Sequence, residues 1–192
     1  MDNRFENQVA IVTGGADGIG KHIARRLAGE GAFVTIFDTD ADKAEATVRE
    51  FAEAGLVVES QCVDVGDEQP VRAALDGVAD KHGRLDVVVH CAGIVGPNAK
   101  KITKVDADDF DRVVRVNLRG SFLITKYALR RMEPRNYGRV LLFASIAGKE
   151  GNAGMCAYSS TKAGVIGLVK SAGKEFAETG ITVNAIAPAV IR

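Results

Sequence analysis

The 192-residue sequence predicts a doubly wound α/β fold, a parallel sheet of about six strands with helices on both faces. Three observations predict it. Short apolar runs alternate with longer amphipathic stretches along the whole chain, the pattern of strands joined by helical crossovers. Several runs, Val87-Val88-Val89 and Val140-Leu141-Leu142-Phe143 among them, are continuously apolar, as in strands covered on both faces. A glycine-rich run from Thr13 to Gly20 follows the first apolar run and opens the first amphipathic stretch.

The first strand is read at 8–13 and the first helix at 18–30, with Gly31 placed where a helix C-terminal glycine belongs. The second strand, 32–38, ends on Asp38. Asp40 then stands as N-cap of a helix at 40–54 that Gly55 closes. After a third strand at 57–62, Asp67 begins a helix at 67–81, and the fourth strand is 85–90. The longest irregular stretch, Cys91 to Thr103, follows that strand, at the carboxyl edge of the sheet where open α/β folds bind ligands. Asp106 caps a long helix at 106–132, which Pro134 stops. A fifth strand at 139–145, a small-residue-rich helix at 154–178 and a sixth strand at 181–187 complete the order.

Composition narrows the function. Lys plus Arg and Asp plus Glu each total 25, so the zero net charge gives no electrostatic reason for nucleic acid or an anionic membrane surface as partner. A small-molecule substrate is expected instead. Arg130, Arg131, Arg135 and Arg139 cluster around a helix end and its turn, where they suit the helix C-terminus. Cys62, Cys91 and Cys156 cannot all pair and lack metal-site spacing, so no metal is expected and a reducing, cytoplasmic location fits. The charged start at Asp2, Arg4 and Glu6 reads as no signal peptide, and no apolar run approaches the ~20 residues of a membrane span. His22, His82 and His90 are scattered, and His90, ending an apolar strand, reads as a core imidazole. With 46% hydrophobic residues, residues 1–192 are read as a single domain.

Two constellations carry chemistry. Glycines between Thr13 and Gly20 allow a sharp turn and bring backbone amides to a pyrophosphate at a helix N-terminus. The spacing departs from G-x-G-x-x-G, since Ile23 takes the third glycine's place, and a ligand-free turn is the alternative. Asp38, eighteen residues after Gly20, is spaced to hold an adenosine ribose and to repel a 2′-phosphate, which favours NAD; otherwise it helps to cap the next helix. Tyr158 and Lys162 are four residues apart on one helix and share a face, so an ammonium can lie beside a phenol and make it usable as a base. Ser145 is a candidate hydroxyl partner of Tyr158, in competition with Ser159, Ser160 and Thr161.

Taken together these residues resemble the short-chain dehydrogenase/reductase family over essentially the whole chain, which implies a Rossmann-type sheet. Thr13, Gly14, Gly18 and Gly20 match its T-G-x-x-x-G-x-G loop, which also contains Asp17 and Ile19. Cys91, Ala92 and Gly93 match its N-A-G element, with Cys91 in place of Asn. Asp64 with Val65 matches the position that contacts adenine, and Pro188 lies in the segment after the sixth strand. Ser145, thirteen residues before Tyr158, matches the family's spacing, and Asn117, Tyr158 and Lys162 match the remaining catalytic positions.

The resemblance implies an oxidoreductase moving hydride between NAD(H) and a small alcohol or ketone. Tyr158 would be the general acid/base, Lys162 its cation and ribose holder, Ser145 the group orienting the reacting oxygen, and Asn117 the anchor of a relay water. Asn117 alone reads equally as an exposed helix position. The stretch from Ser145 to Gly154 looks most like reductases of 3-oxoacyl or keto-sugar-acid type, with polyols a further option. A homodimer or homotetramer through helices 106–132 and 154–178 is implied. Members usually continue beyond the point matching Arg192 with a substrate segment, another helix and a seventh strand; if residues 1–192 are the whole protein, the sixth strand is expected to be an open edge. A non-catalytic NAD-binding or interaction module is the alternative, as is a part of a longer polypeptide.

Overall fold

A computed structural model of the chain describes residues 3–189; Asp2 and Arg192, where the sequence reading placed a charged start and the end, lie outside them. The six predicted strands form as β1 (Val9–Thr13), β2 (Phe33–Asp38), β3 (Val58–Cys62), β4 (Val87–His90), β5 (Gly138–Phe143) and β6 (Ile181–Ile186). They pair in parallel in the order β3-β2-β1-β4-β5-β6, so strand order reverses between β1 and β4. At such a reversal the loops leaving neighbouring strands diverge and a crevice opens at the carboxyl edge.

Helices α1 (Gly18–Gly29) and α2 (Ala41–Glu53) cover one face of the sheet through Ala24, Leu27 and Phe51. On the other face lie α3 (Glu68–His82), α5 (Gly120–Met132) and α7 (Cys156–Glu175), packed through Val71, Leu75, Leu123, Ile124 and Val165. Both layers cover β1 and β4, which are buried throughout. The expectation of double cover fails for β5: Val140 and Leu142 are buried but Leu141 and Phe143 only partly, because α1 and α2 do not extend over that half of the sheet. Among the described residues β6 lies at one edge of the sheet, with Ile181 and Val183 buried and Thr182 and Asn184 exposed.

Punctuation is kept in part. Asp40 caps α2 by accepting from the Lys43 amide at 3.0 Å, and Gly31 and Gly55 leave α1 and α2 with φ of +94° and +75°. Asp67 and Asp106 occupy N-cap positions without making the cap bond; their carboxylates turn to Arg115 and Lys100. Pro134 ends α5 within a 3-10 turn, Glu133–Arg135. Two members of the arginine cluster are spent locally: Arg131 pairs with Asp76 and Asp80 on α3, and Arg139 lies 4.5 Å from the Tyr137 ring centroid and donates to the Gly138 and Gly180 carbonyls.

The predicted helix 106–132 is interrupted. It runs as α4 (Ala107–Val113), a wide π turn (Val114–Arg119) and then α5, with Asn117 in the π turn. Turns of this kind are rare inside helices and mark places where a side chain is re-aimed. The short helix α6 (Ala147–Glu150), absent from the sequence reading, has too few residues for a periodic signal. No helix among the described residues is long and apolar enough to cross a membrane.

Candidate active site

The loop from Thr13 to Gly20 closes against the loop after β4. Gly14 has φ of +63°, and a Cβ there would stand 2.9 Å from Ala92 backbone atoms; at Gly20 one would stand 2.1 Å from the Gly14 carbonyl oxygen. Neither position has room for a side chain. The turn is tied down by Gly14 N donating to the Phe37 carbonyl at 2.8 Å and by Ala92 N donating to Thr13 Oγ1 at 3.2 Å. The result is a bare stretch of backbone running into the N-terminus of α1, suited to a phosphate group. Asp17 caps that helix by accepting from Gly18 N at 2.7 Å and pairs at the rim with Lys43, which holds its carboxyl below the usual range. Ile19 is exposed and lines the cleft.

Asp38 stands at the end of β2, beside this loop. One carboxylate oxygen accepts from Ala16 N at 3.1 Å and the other from Asp40 N at 3.2 Å, so the group is held in place while Asp40 does the capping. Next along the edge, Val63 N donates to the Asp38 carbonyl at 3.0 Å, which brings Asp64 and buried Val65 alongside. Asp64 accepts from Gly66 N at 2.8 Å and from Arg115 at 3.0 Å.

Beyond the strand reversal, a cleft of about 280 Å³ is lined by Ile19, Cys91, Gly93, Ser145, Tyr158 and Lys162, with Pro188 at its edge. Pro188 is placed there by its carbonyl, which accepts from Ile146 N at 3.0 Å. Tyr158 and Lys162 point the same way from α7, and the lysine Nζ lies 5.6 Å from the phenol ring centroid. Lys162 is only 6% exposed, yet among the described residues its one hydrogen-bond partner is the Phe143 carbonyl at the end of β5. Burial therefore pulls its pKa down from 10.5 to about 8, with only a small opposing pull from Cys91. Burial likewise pushes the Cys91 thiol up to about 12, so it stays a neutral wall residue. His90, fully buried and bonded to Thr13 Oγ1 at 2.7 Å, is pulled down to about 3 by burial and by Lys162, which keeps it uncharged as the sequence reading expected of a core imidazole.

Ser145 is buried and accepts from Ala147 N at 3.2 Å, which leaves its hydroxyl proton free to donate into the cleft. Of its competitors, Ser159 accepts from Asn152 N, Thr161 donates to the Tyr158 carbonyl, and Ser160 is exposed. Asn117 is 1% exposed, against the alternative of an exposed helix position. Its Oδ1 accepts from Ile94 N at 2.8 Å while its Nδ2 donates to the Ile94 carbonyl at 2.8 Å and to Thr161 at 3.2 Å. Both amide protons are thus committed to holding the loop after β4 against α7. Three partners in this arrangement, the Ile94 backbone, the Phe143 carbonyl and Thr161 as a hinge to Asn117, escaped the sequence reading. The first two are main-chain groups that any residue carries, so no residue type signals them.

Comparison with known proteins gives the same picture. A family model described as short chain dehydrogenase matches residues 8–192. The chain is 40% identical over 186 residues to 2-dehydro-3-deoxy-L-rhamnonate dehydrogenase (NAD(+)) of Sphingomonas sp. (strain SKA58), covering 97% of this chain and 73% of that protein. It is 35% identical to the 3-oxoacyl-(acyl-carrier-protein) reductase FabG of Aquifex aeolicus (strain VF5), covering all of this chain and 77% of that one. Among solved structures, NAD+-bound xylitol dehydrogenase superposes with a TM-score of 0.93 at 34% identity, over 97% of this chain and 71% of that one.

The depressed value of Lys162 has a signed consequence for stability. The folded chain holds that proton less tightly than the unfolded chain does, so the cost of the buried charge is complete below about pH 8 and is relieved as pH rises towards 10.5. Denaturant unfolding of the wild type and Lys162→Met across pH 7 to 10.5 should show the wild type gaining on the variant as pH rises, by on the order of 3 kcal/mol in all. A difference that stays flat would mean that Lys162 titrates as an exposed lysine.

Proposed function

The chain belongs to the short chain dehydrogenase family, and from that premise we propose that it is an oxidoreductase acting on a CH–OH group of a small alcohol or ketone with NAD(H) as cofactor. The observation that carries the proposal is the meeting of Ser145, Tyr158 and buried Lys162 in one cleft that continues into the glycine loop. The residues present fit a dinucleotide: bare backbone at Gly14 and Gly20 for the pyrophosphate, the Asp38 carboxylate for a ribose, and Asp64 with Val65 for adenine. A bound nicotinamide supplies the acceptor or donor of hydride; the chain's own residues handle the proton.

Tyr158 exchanges the hydroxyl proton of the substrate, with the Lys162 ammonium held beside its ring. Lys162 has three donors and places one on Phe143, leaving two for ribose hydroxyls. Ser145 donates its free proton to the reacting oxygen and so fixes its direction. Asn117 acts at one remove, holding the Ile94 loop and, through Thr161, the helix that carries Tyr158 and Lys162. With both amide protons committed, its side chain suits this positioning role better than that of a water anchor. A non-catalytic binding module would have no use for a costly lysine charge placed beside a phenol.

The substrate proposed is of 3-oxoacyl, keto-sugar-acid or polyol type, as the names of the similar dehydrogenases suggest. Phe122 is 46% exposed, and with Leu129, Leu168 and Phe176 it lines a groove between the outer faces of α5 and α7. That groove supports a homodimer or homotetramer formed through these helices.

Two variants test the proposal. Tyr158→Phe keeps the ring and removes the proton carrier; turnover of alcohols, polyols and hydroxy acids should fall by at least ~10²-fold, the usual scale of acid/base catalysis, with NADH binding retained. Near-normal turnover would reject this mechanism. Asp38→Ala removes the carboxylate that repels a 2′-phosphate, so the KM for NAD should rise and the preference over NADP shrink by about tenfold, the scale of one charged hydrogen bond. An unchanged preference would remove Asp38 from the cofactor site.

A further inference from the structure

Resting on the dinucleotide reading above, we propose that Arg115 is a positioning residue that fixes the Asp64 carboxylate so that the cofactor's adenine amine is recognised by a preset acceptor. Arg115 was singled out by no motif, and its side chain leaves the same π turn that carries Asn117. Its Nη2 donates to Asp64 Oδ2 at 3.0 Å and to Asp67 Oδ1 at 2.7 Å, bridging the two ends of the turn after β3. The guanidinium crosses directly over Gly66, where a Cβ would come within 2.8 Å of its Cζ. Arg119, from the same π turn, donates to the Gly66 carbonyl, so two arginines grip this loop from above.

The grip orients the carboxylate. Asp64 Oδ1 takes the Gly66 amide and Oδ2 takes Arg115, so each oxygen has one protein partner and keeps acceptor capacity beyond it. A carboxylate held at both oxygens no longer rotates, and it keeps its remaining acceptor capacity on a loop that Val63 N ties to the Asp38 carbonyl. Adenine presents an amine donor at its outer edge; hypoxanthine presents a carbonyl, which such an acceptor repels. The ion pair itself contributes little to folding, because Arg115 and Asp64 are each 39% exposed and pairs at that exposure are worth up to about 1 kcal/mol. Its yield is orientation rather than stability, and a variant at this position is expected to fold.

The test is direct binding of NADH and of reduced nicotinamide hypoxanthine dinucleotide, followed by nicotinamide fluorescence, to the wild type, Arg115→Met and Arg115→Lys. The wild type should prefer NADH by about tenfold, the scale of one hydrogen bond to a charged group. Arg115→Met should weaken NADH binding by a similar factor and bring the two dinucleotides to within about twofold of each other, with an unchanged unfolding midpoint. Arg115→Lys should recover part of the preference. If Arg115→Met keeps the wild-type preference, whether binding is unchanged or weakened equally for both dinucleotides, the arginine does not aim Asp64 and the proposal is overturned. If the wild type binds neither dinucleotide, the cofactor reading itself fails and takes this inference with it.

Discussion

The ammonium group of Lys162 is the constraint around which the carboxyl edge of the sheet is organised. A charge almost wholly removed from water and given one carbonyl partner is unfavourable, and the lowered pKa registers that cost. The surroundings are consistent with a group kept for use. Cys91 and His90 beside it are both held neutral by burial, and among the described residues no carboxylate pairs with the lysine. Its field is left to act on the phenol whose ring it overlies.

Holding such a group in place requires that the ends of four strands stay in register. The parallel sheet delivers them to one edge: Phe143 at the end of β5 accepts from Lys162, Thr13 at the end of β1 ties to His90 and Ala92 at the end of β4, and Ile146 reaches across to Pro188 after β6. The π turn joins this region to the far end of the crevice. Asn117 binds Ile94 and Thr161 on one side while Arg115 and Arg119 bind the Asp64–Asp67 loop on the other, so six residues of helix bridge the proposed catalytic and adenine ends. A regular α-helix would present these side chains at different angles, which gives the local widening a physical purpose.

Much of this was legible in the sequence because it rests on patterns that repeat or on residue types with few alternative uses. Apolar runs located all six strands, and the glycine loop, Asp38, Ser145, Tyr158 and Lys162 stood out as candidates from chemistry and spacing. What escaped depends on main-chain groups and on side-chain reach. The carbonyls of Phe143 and Ile94 have no sequence signature. The break in the helix at 114–119 is invisible to apolar periodicity, because α4 and α5 continue the same helical path on either side of it. Asp67 and Asp106 looked like caps but had better partners in Arg115 and Lys100, a competition that only tertiary structure decides. β5 looked like a strand covered on both faces, and is not, because composition reports how apolar a strand is and not which helices lie over it.

A dehydrogenase reading requires that the reacting carbon, the phenol and the nicotinamide share one cleft, and the residues on the cleft wall supply a proton carrier, a charge and an orienting hydroxyl. The most direct measurement is a crystal structure of the protein with NAD+ and an unreactive alcohol bound. The expected geometry has the alcohol oxygen within roughly 2.6–3.2 Å of both the Tyr158 and Ser145 hydroxyls, with the nicotinamide ribose on Lys162. A dinucleotide seated on the glycine loop whose nicotinamide points away from Tyr158, or an alcohol bound out of reach of that phenol, would contradict it.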